Sequence, residues 1–401
     1  MKRTHNFPAI LCLGFLLAAG CVKNPTSSTS TSGACTPASN KEASYVLTGY
    51  AVSMYTVNSC TGQFTATTPA SVSTGYEYPQ NDDSEQMVAD PLGRYAYVAN
   101  LVSNVAGPST ISMYTINSIT GVLTPTTPAT VSAGWFPQGI AIDPQGRFVY
   151  TANSDDGTVS MFTINQTTGV LTPTTPASVP ITIPNSLISS PGFLTIDPTG
   201  KFLYTATYLS EGAAVFMYTI NQTTGVLSPT TPATVYTGGS PFQVLVAPNG
   251  KFAYVVDNLS SSNETFGVWQ YTVNSATGVL TPNNPVAVGA GDAPTEIAVD
   301  PTSRFAYVVN RLDNTLSMYT IDPDTGNLTL HSTATNPSGT IATGVEPFRI
   351  DFDPSGKFVY VTNEGSAASI YTVQGDGTLS NAGATGVGTG SLSTAFTTLS
   401  Q

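Results

Sequence analysis

Glu296 and Arg349 carry the clearest signal for chemistry in this sequence. A carboxylate can position or activate a water, and a guanidinium can hold negative charge as it develops on an oxygen. The two residues stand at equivalent places in adjacent copies of an internal repeat, so the fold implied by that repeat sets them side by side. Glu85, Gln86 and Gln243 fall at or next to the same place in other copies. Together they form a polar ring suited to a small polar ligand or to ordered water. The same residues could equally make a structural ion pair, and the sequence leaves both readings open.

Other chemistries fall away. After residue 20 the chain has a single histidine, His331, in the outer-strand segment Leu328 to His331. No imidazole is then available as a general base, which excludes Ser-His-Asp catalysis and His-based metal sites. Calcium needs roughly six to eight oxygens. The chain is acidic, but Asp322 to Gly326 only resembles a calcium loop and lies in a turn. No cofactor is expected, with calcium as a thinly supported alternative. The net charge is −12. Nucleic acid is excluded as a partner, because phosphate recognition needs a basic footprint.

The elements that position the site come from six near-copies of one phrase. They are DPLGRYAYVAN from Asp90, DPQGRFVYTAN from Asp143, DPTGKFLYTAT from Asp197, APNGKFAYVVD from Ala247, DPTSRFAYVVN from Asp300 and DPSGKFVYVTN from Asp353. Their starts differ by 53, 54, 50, 53 and 53 residues. A strand-rich period of this length marks a propeller. In one copy, Gly139 to Ile142 reads as a first strand and Asp143 to Gly146 as a tight turn. Arg147 to Ala152, Thr158 to Ile164 and Val170 to Val179 follow as second, third and fourth strands. Pro173 and Pro176 put the fourth strand at the outer edge of a blade, since proline cannot donate to a ladder.

Third-strand hairpins begin at Val52, Ile111, Val159, Val215, Val268, Leu316 and Ser369, one more than the repeated phrases. The first hairpin, Ser44 to Val57, lacks a first strand, and the run Leu392 to Leu399 has nothing after it. That run is predicted to supply the missing strand and close the ring. The expected fold is all-β: a seven-bladed propeller over residues 43–401, with four antiparallel strands per blade.

The beginning of the chain reads differently. Lys2 and Arg3 precede an apolar run from Phe7 to Ala19, too short to span a bilayer. Leu17-Ala18-Ala19-Gly20-Cys21 resembles a bacterial lipobox, which implies cleavage after residue 20 and lipid on Cys21. Val22 after the cysteine implies outer-membrane sorting, so a cell-envelope lipoprotein is expected, held to the membrane through its lipid alone. Residues 21–42 are Ser-, Thr- and Pro-rich and read as a flexible tether. Outside the cytosol, the remaining Cys35 and Cys60 are expected to pair.

The phrases YVAN (Tyr97 to Asn100), YVVN (Tyr307 to Asn310) and YVTN (Tyr360 to Asn363) resemble those of YVTN-type propellers. The blade pattern over residues 43–401 is similar to the seven-bladed lactonase-like superfamily, which includes the propeller type of 6-phosphogluconolactonase. The resemblance implies lactone hydrolysis at the channel mouth, with Glu296 and Arg349 acting on the lactone. Family members often open the first strand with a Pro-Arg-His phrase. The positions equivalent to that histidine hold Gln86, Gly139, Phe193, Gln243, Glu296 and Arg349, and none is His. The preceding positions hold Glu85, Gln138, Gly192, Phe242, Thr295 and Phe348, and none is Arg.

Strand alternation sorts the connections onto two faces. First-to-second and third-to-fourth turns share one monotonous face. The other connections vary in every repeat and carry most of the acids, Asp82 and Asp83 among them, offset only by Arg311 and Arg349. Trp135, Tyr76 and Tyr78 also lie there and could stack on a sugar or peptide. The leading expectation is a binding or scaffold module whose acidic face takes a protein, a polysaccharide or a small polar ligand. The alternative is a lactonase-like hydrolase. Non-reducing mass spectrometry of the membrane-extracted protein is expected to find residues 1–20 absent, lipid on Cys21 and a Cys35–Cys60 bridge. Two free thiols or an unmodified Cys21 would reject these readings.

Overall fold

Each repeat folds as one antiparallel sheet of short strands between tight turns, its second strand buried along its whole length and its outer strand mostly exposed. The computed structural model of the protein describes residues 42–48, 51–75, 86–101, 109–181, 191–207, 213–237, 239–258, 267–364, 366–388 and 394–398. The sheets number seven, and no helix occurs among the described residues. Blades one to seven have as second strands Glu42–Thr48, Tyr95–Asn100, Phe148–Asn153, Phe202–Thr207, Phe252–Asp257, Phe305–Asn310 and Phe358–Asn363. Their innermost, first strands are Thr394–Thr398, Gln86–Ala89, Pro137–Ile142, Pro191–Ile196, Pro241–Val246, Pro294–Val299 and Pro347–Phe352.

Blade one closes the ring as the sequence implies. Thr394–Thr398 pairs antiparallel with the second strand, with Ala395 opposite Tyr45 and Thr398 opposite Glu42. Blade six departs from the pattern. Its outer edge is split into Leu328–Leu330 and Thr340–Ala342, both paired with Thr315–Ile321. His331 follows the first of these segments and stacks on Phe305 at 6.1 Å, so it stands just outside the strand expected to hold it.

The core lies between blades. Tyr95, Tyr97, Ile111 and Met113 of blade two cluster with Ile140, Val149 and Phe162 of blade three. Each large side chain so buried contributes about 1.5–3 kcal/mol. Outer strands such as Leu171–Pro180 stay largely exposed, which suits their Thr and Pro content.

One buried tyrosine per blade links it to the next. Tyr97 donates its hydroxyl to the Gly169 carbonyl at 2.9 Å, Tyr150 to Gly225 and Tyr204 to Gly278 at 2.8 Å. Tyr254 reaches Gly326, Tyr307 reaches Gly377 and Tyr45 reaches Gly121. Tyr360 of blade seven reaches Gly62 of blade one at 2.9 Å and completes the circle. Burial pushes these phenols well above their ordinary range. The acceptor must be glycine. Gly225 has φ +74°, and a Cβ there would sit 2.5 Å from the Phe148 ring.

The turns between first and second strands share an end with the outer turns. Asp143 Oδ1 accepts from the peptide N–H groups of Arg147 and Phe148. The Arg147 side chain lies 2.8 Å from Asp143 and donates to the Gln222 carbonyl of the next blade's outer turn at 3.1 Å. Arg94 does the same with Asp90 and Gln166. Lys357 spans the closing seam, donating to the carbonyls of Ser59 and Cys60. At the equivalent place in blade one stands Glu42, an acid. Burial and then Asp353 push its carboxyl up to about 7, against the pull of Lys357. Tyr150→Phe is expected to leave the Gly225 carbonyl without its donor and cost about 1–2 kcal/mol, read from urea denaturation. An unchanged midpoint would remove the tyrosine ring from the account of stability.

Candidate active site

A recurring turn delivers the site residues to the channel. Gly134, Gly291 and Gly344 each lie against the end of their own blade's second strand: a Cβ would meet Asn153, Asn310 and Asn363 within 2.5–2.7 Å. The next peptide N–H bonds an acid in the second-to-third connection, Trp135 to Asp156 at 2.6 Å and Asp292 to Asp313 at 2.7 Å. Phe136, Ala293 and Glu346 then take left-handed φ values of 55°, 50° and 51°. A proline follows and starts the first strand, and two residues later come Gly139, Glu296 and Arg349.

These positions ring the axis, and each reaches toward the next blade. Gln86 Oε1 accepts from the Ile140 N–H at 3.1 Å, Gln243 Oε1 from Ile297 at 2.8 Å and Glu296 Oε2 from Ile350 at 2.7 Å. Gln243 Nε2 also donates to Glu296 Oε1 at 3.1 Å. Arg349 Nη1 lies 3.8 Å from the same oxygen. The guanidinium is 4% exposed and lies 4.5 Å from the centre of the Phe193 ring, with Phe348 at 5.4 Å. Phe242 packs against both rings, at 5.0 Å and 6.0 Å. Gly139 is where inner strands crowd: a Cβ would stand 2.7 Å from the Gly192 carbonyl.

The ring opens on a cavity of about 320 Å³, lined among others by Gln86, Gln243, Glu296, Arg349, Phe193 and Asp351. Asp351 is the candidate site residue that sequence reading missed. It lies two residues after Arg349 on the same strand, hence on the same face. Burial, then the charge of Glu296, pushes its carboxyl up to about 8; the Phe352 N–H at 2.9 Å opposes this. Burial also raises Glu296, while Arg349 and the Ile350 N–H pull it down. Near neutrality the site therefore presents an acid beside a guanidinium and, a step deeper, a second acid that keeps its proton. A signal for Asp351 was available. Its equivalents in the other repeats are Val88, Ala141, Thr195, Leu245 and Ala298, none of them charged.

Of the residues expected from the sequence, Glu296, Arg349, Gln86 and Gln243 come together here. Trp135 does not line this cavity; it is 42% exposed in the turn before the first strand of blade three. Tyr76, Tyr78, Asp82, Asp83 and Glu85 lie outside the described residues, as do Cys21 and Cys35. Cys60 is disulfide-bonded. Asn100, Asn153 and Asn310 bridge second and third strands: Asn153 Nδ2 donates to Thr158 at 3.0 Å and to Ser160 at 2.8 Å. Among the described residues, no group of three or more His, Cys, Asp and Glu is arranged to hold a metal.

The fold and site define a seven-bladed propeller with an acid–guanidinium pocket on its axis. The chain belongs to the family described as "Lactonase, 7-bladed beta-propeller", whose model matches residues 38–187 and 189–392. It is 29% identical over 208 residues to the 6-phosphogluconolactonase of Pectobacterium carotovorum, covering 48% of this chain and 56% of that one. The chain spans about half the length of the first curated relatives it matches. Two solved structures share the fold. One is a Bacteroides fragilis protein whose 6-phosphogluconolactonase assignment is provisional, with TM-score 0.70, 18% identity and coverage of 89% and 98%. The other is the periplasmic gluconolactonase of Pseudomonas aeruginosa, with TM-score 0.67, 20% identity and coverage of 90% and 99%.

These findings correct the leading expectation of a binding or scaffold module. The matching family and the curated relatives carry lactonase names, which support the lactonase alternative over it. A physical reason lies in the loops. Asp156 and Asp313 hold the turns described above, and Asp257 accepts from Ser240 N–H at 2.7 Å and from Trp269 Nε1 at 3.1 Å. Glu364 lies 2.5 Å from Arg311 and Glu346 4.0 Å. Acids that read as a docking face thus fix loop geometry. Asp351 also makes stability pH-dependent. Its folded-state proton affinity exceeds that of an ordinary aspartate, so stability falls as pH rises from about 4 to about 8. Relative to wild type, Asp351→Asn is expected to gain stability across that window and hold a constant advantage above it. Parallel denaturation curves at all pH values would reject the raised affinity.

Proposed function

We propose that the protein hydrolyses a sugar lactone in its axial cavity. The observation that carries this is the Glu296–Arg349 pair with Asp351, whose carboxyl burial pushes up to about 8, on the same strand as Arg349. The family membership and the names of the curated relatives support the same reading. The cavity's volume is in the range of small-molecule sites, roughly 300–1,000 Å³.

The steps follow from the groups present. The lactone carbonyl oxygen lies toward the Arg349 guanidinium. In its carboxylate form, which Arg349 and the Ile350 N–H favour against the effect of burial, Glu296 takes a proton from a water as its oxygen bonds to the carbonyl carbon. Arg349 holds the negative charge of the tetrahedral intermediate, with its effect enlarged by exclusion of water. As the intermediate collapses, the bond to the ring oxygen breaks and Asp351 gives that oxygen its proton. The product leaves as an open hydroxy acid, and the proton on Glu296 passes to Asp351 to restore the starting state. Gln243 positions Glu296 by donating to Oε1, and the Phe193, Phe242 and Phe348 rings pack together beside the Arg349 guanidinium. With residues 1–20 read as an export signal and Cys21 as lipidated, the reaction takes place in the cell envelope.

Hydrolysis of glucono-1,5-lactone, followed by pH-stat and corrected for the spontaneous reaction, tests this. Glu296→Gln and Asp351→Asn, which preserve shape and one acceptor oxygen each, are expected to lower kcat about 10²–10⁴-fold. The wild-type rate should decline as pH passes about 8 and Asp351 loses its proton, and that decline should be absent in Asp351→Asn. Full activity in either folded variant would refute the assignment.

A further inference from the structure

We infer that the lactone carries no phosphate. The inference rests on the lactonase reading above and comes from where the chain places its cations. Recognition of a phosphate calls for Arg or Lys side chains, or for backbone N–H groups left open to an anion. Beyond residue 41 the sequence has eight basic residues. Six of them, Arg94, Arg147, Lys201, Lys251, Arg304 and Lys357, belong to turns at the end of the ring away from the site residues. There Arg94 and Arg147 hold Asp90 and Asp143, and Lys357 holds the closing seam.

Two cations remain for the cavity end. Arg311 is held by Glu364 at 2.5 Å and is flanked by Glu346 at 4.0 Å. Arg349 is buried against Glu296 and the Phe193 ring, and the proposed chemistry needs it at the carbonyl oxygen. A phosphate on the far carbon of the sugar would compete with that oxygen for the same guanidinium. The inward N–H groups of Ile140, Ile297 and Ile350 are already taken by Gln86, Gln243 and Glu296. Against these stands the Glu296 carboxyl in the cavity, with the neutral Asp351 beside it. A phosphate monoester brings roughly −1.5 to −2 charges at neutral pH. Glu296 would repel it, and no basic side chain among the described residues is left at the cavity to offset the loss of its hydration.

Binding and turnover, measured separately on the full protein, test this. Titration calorimetry with the non-hydrolysable glucono-1,5-lactam and with its 6-phosphate is expected to give a Kd at least tenfold weaker for the phosphate at low ionic strength. The gap should narrow as salt screens the repulsion. The kcat/KM for glucono-1,5-lactone should exceed that for its 6-phosphate by a similar factor. Equal or tighter binding of the phosphorylated lactam would overturn the inference, and faster turnover of the phosphorylated lactone would do so while leaving the lactonase reading intact. Preference for the neutral lactam without turnover of either lactone would sink the lactonase reading and keep the charge selection. Binding of neither lactam would overturn both.

Discussion

The hydroxyl that each buried tyrosine donates to a glycine carbonyl in the following blade is the constraint on which the rest of this structure depends. The seven bonds run in one sense around the ring, and the last joins Tyr360 to Gly62 across the point where chain ends meet. A buried phenol without a partner is costly, so the offset between neighbouring blades is fixed by a requirement that recurs in every interface. The apolar clusters between blades supply most of the energy, but they are tolerant of small slips. The hydroxyl bonds are not, since a shift of about one ångström would break them.

That fixed offset is what turns a repeated sequence position into a functional ring. Gln86, Gln243 and Glu296 each cap an inner-strand N–H in the neighbouring blade, and the separation in sequence is 54 residues in every case. The proposed chemistry lies where the repeat is broken. Glu replaces Gln at one place in the ring, Arg follows at the next, and an aspartate appears one step deeper where the other copies are uncharged. The scaffold role and the reactive role of Glu296 are compatible, because Oε2 holds the Ile350 N–H while Oε1 faces Gln243 and Arg349.

Much of this was legible in the sequence. The period of the DPxG phrases gave the blades, the prolines of the outer strands gave their orientation, and the orphan hairpin at Ser44 gave the closure by residues 394–398. The pairing of Glu296 with Arg349 also followed, since equal positions in adjacent blades must be neighbours. Asp351 was not seen, because FRIDFDP reads as a strand entering a turn, and an acid near a turn looks like turn chemistry. Comparing the copies column by column would have exposed it. The loop acids misled for a related reason: sequence counts charges without showing their partners. Asp156 and Asp313 accept from backbone N–H groups, and Glu364 meets Arg311, so these acids hold the loops in place.

The closing seam has a consequence for the integrity of single molecules. A ring sealed by five residues against the second strand of blade one depends on a short pairing, and loss of Thr394–Thr398 would leave the Glu42–Thr48 edge bare. A bare edge accepts any matching strand, and the nearest match is the same segment from another copy. Glu42 sits at that seam as the only acid in a series of cations. Its carboxyl carries charge next to Asp353 once the medium is more alkaline than about pH 7. Strand exchange between molecules should therefore begin at this latch, and alkaline conditions should loosen it before any other blade junction.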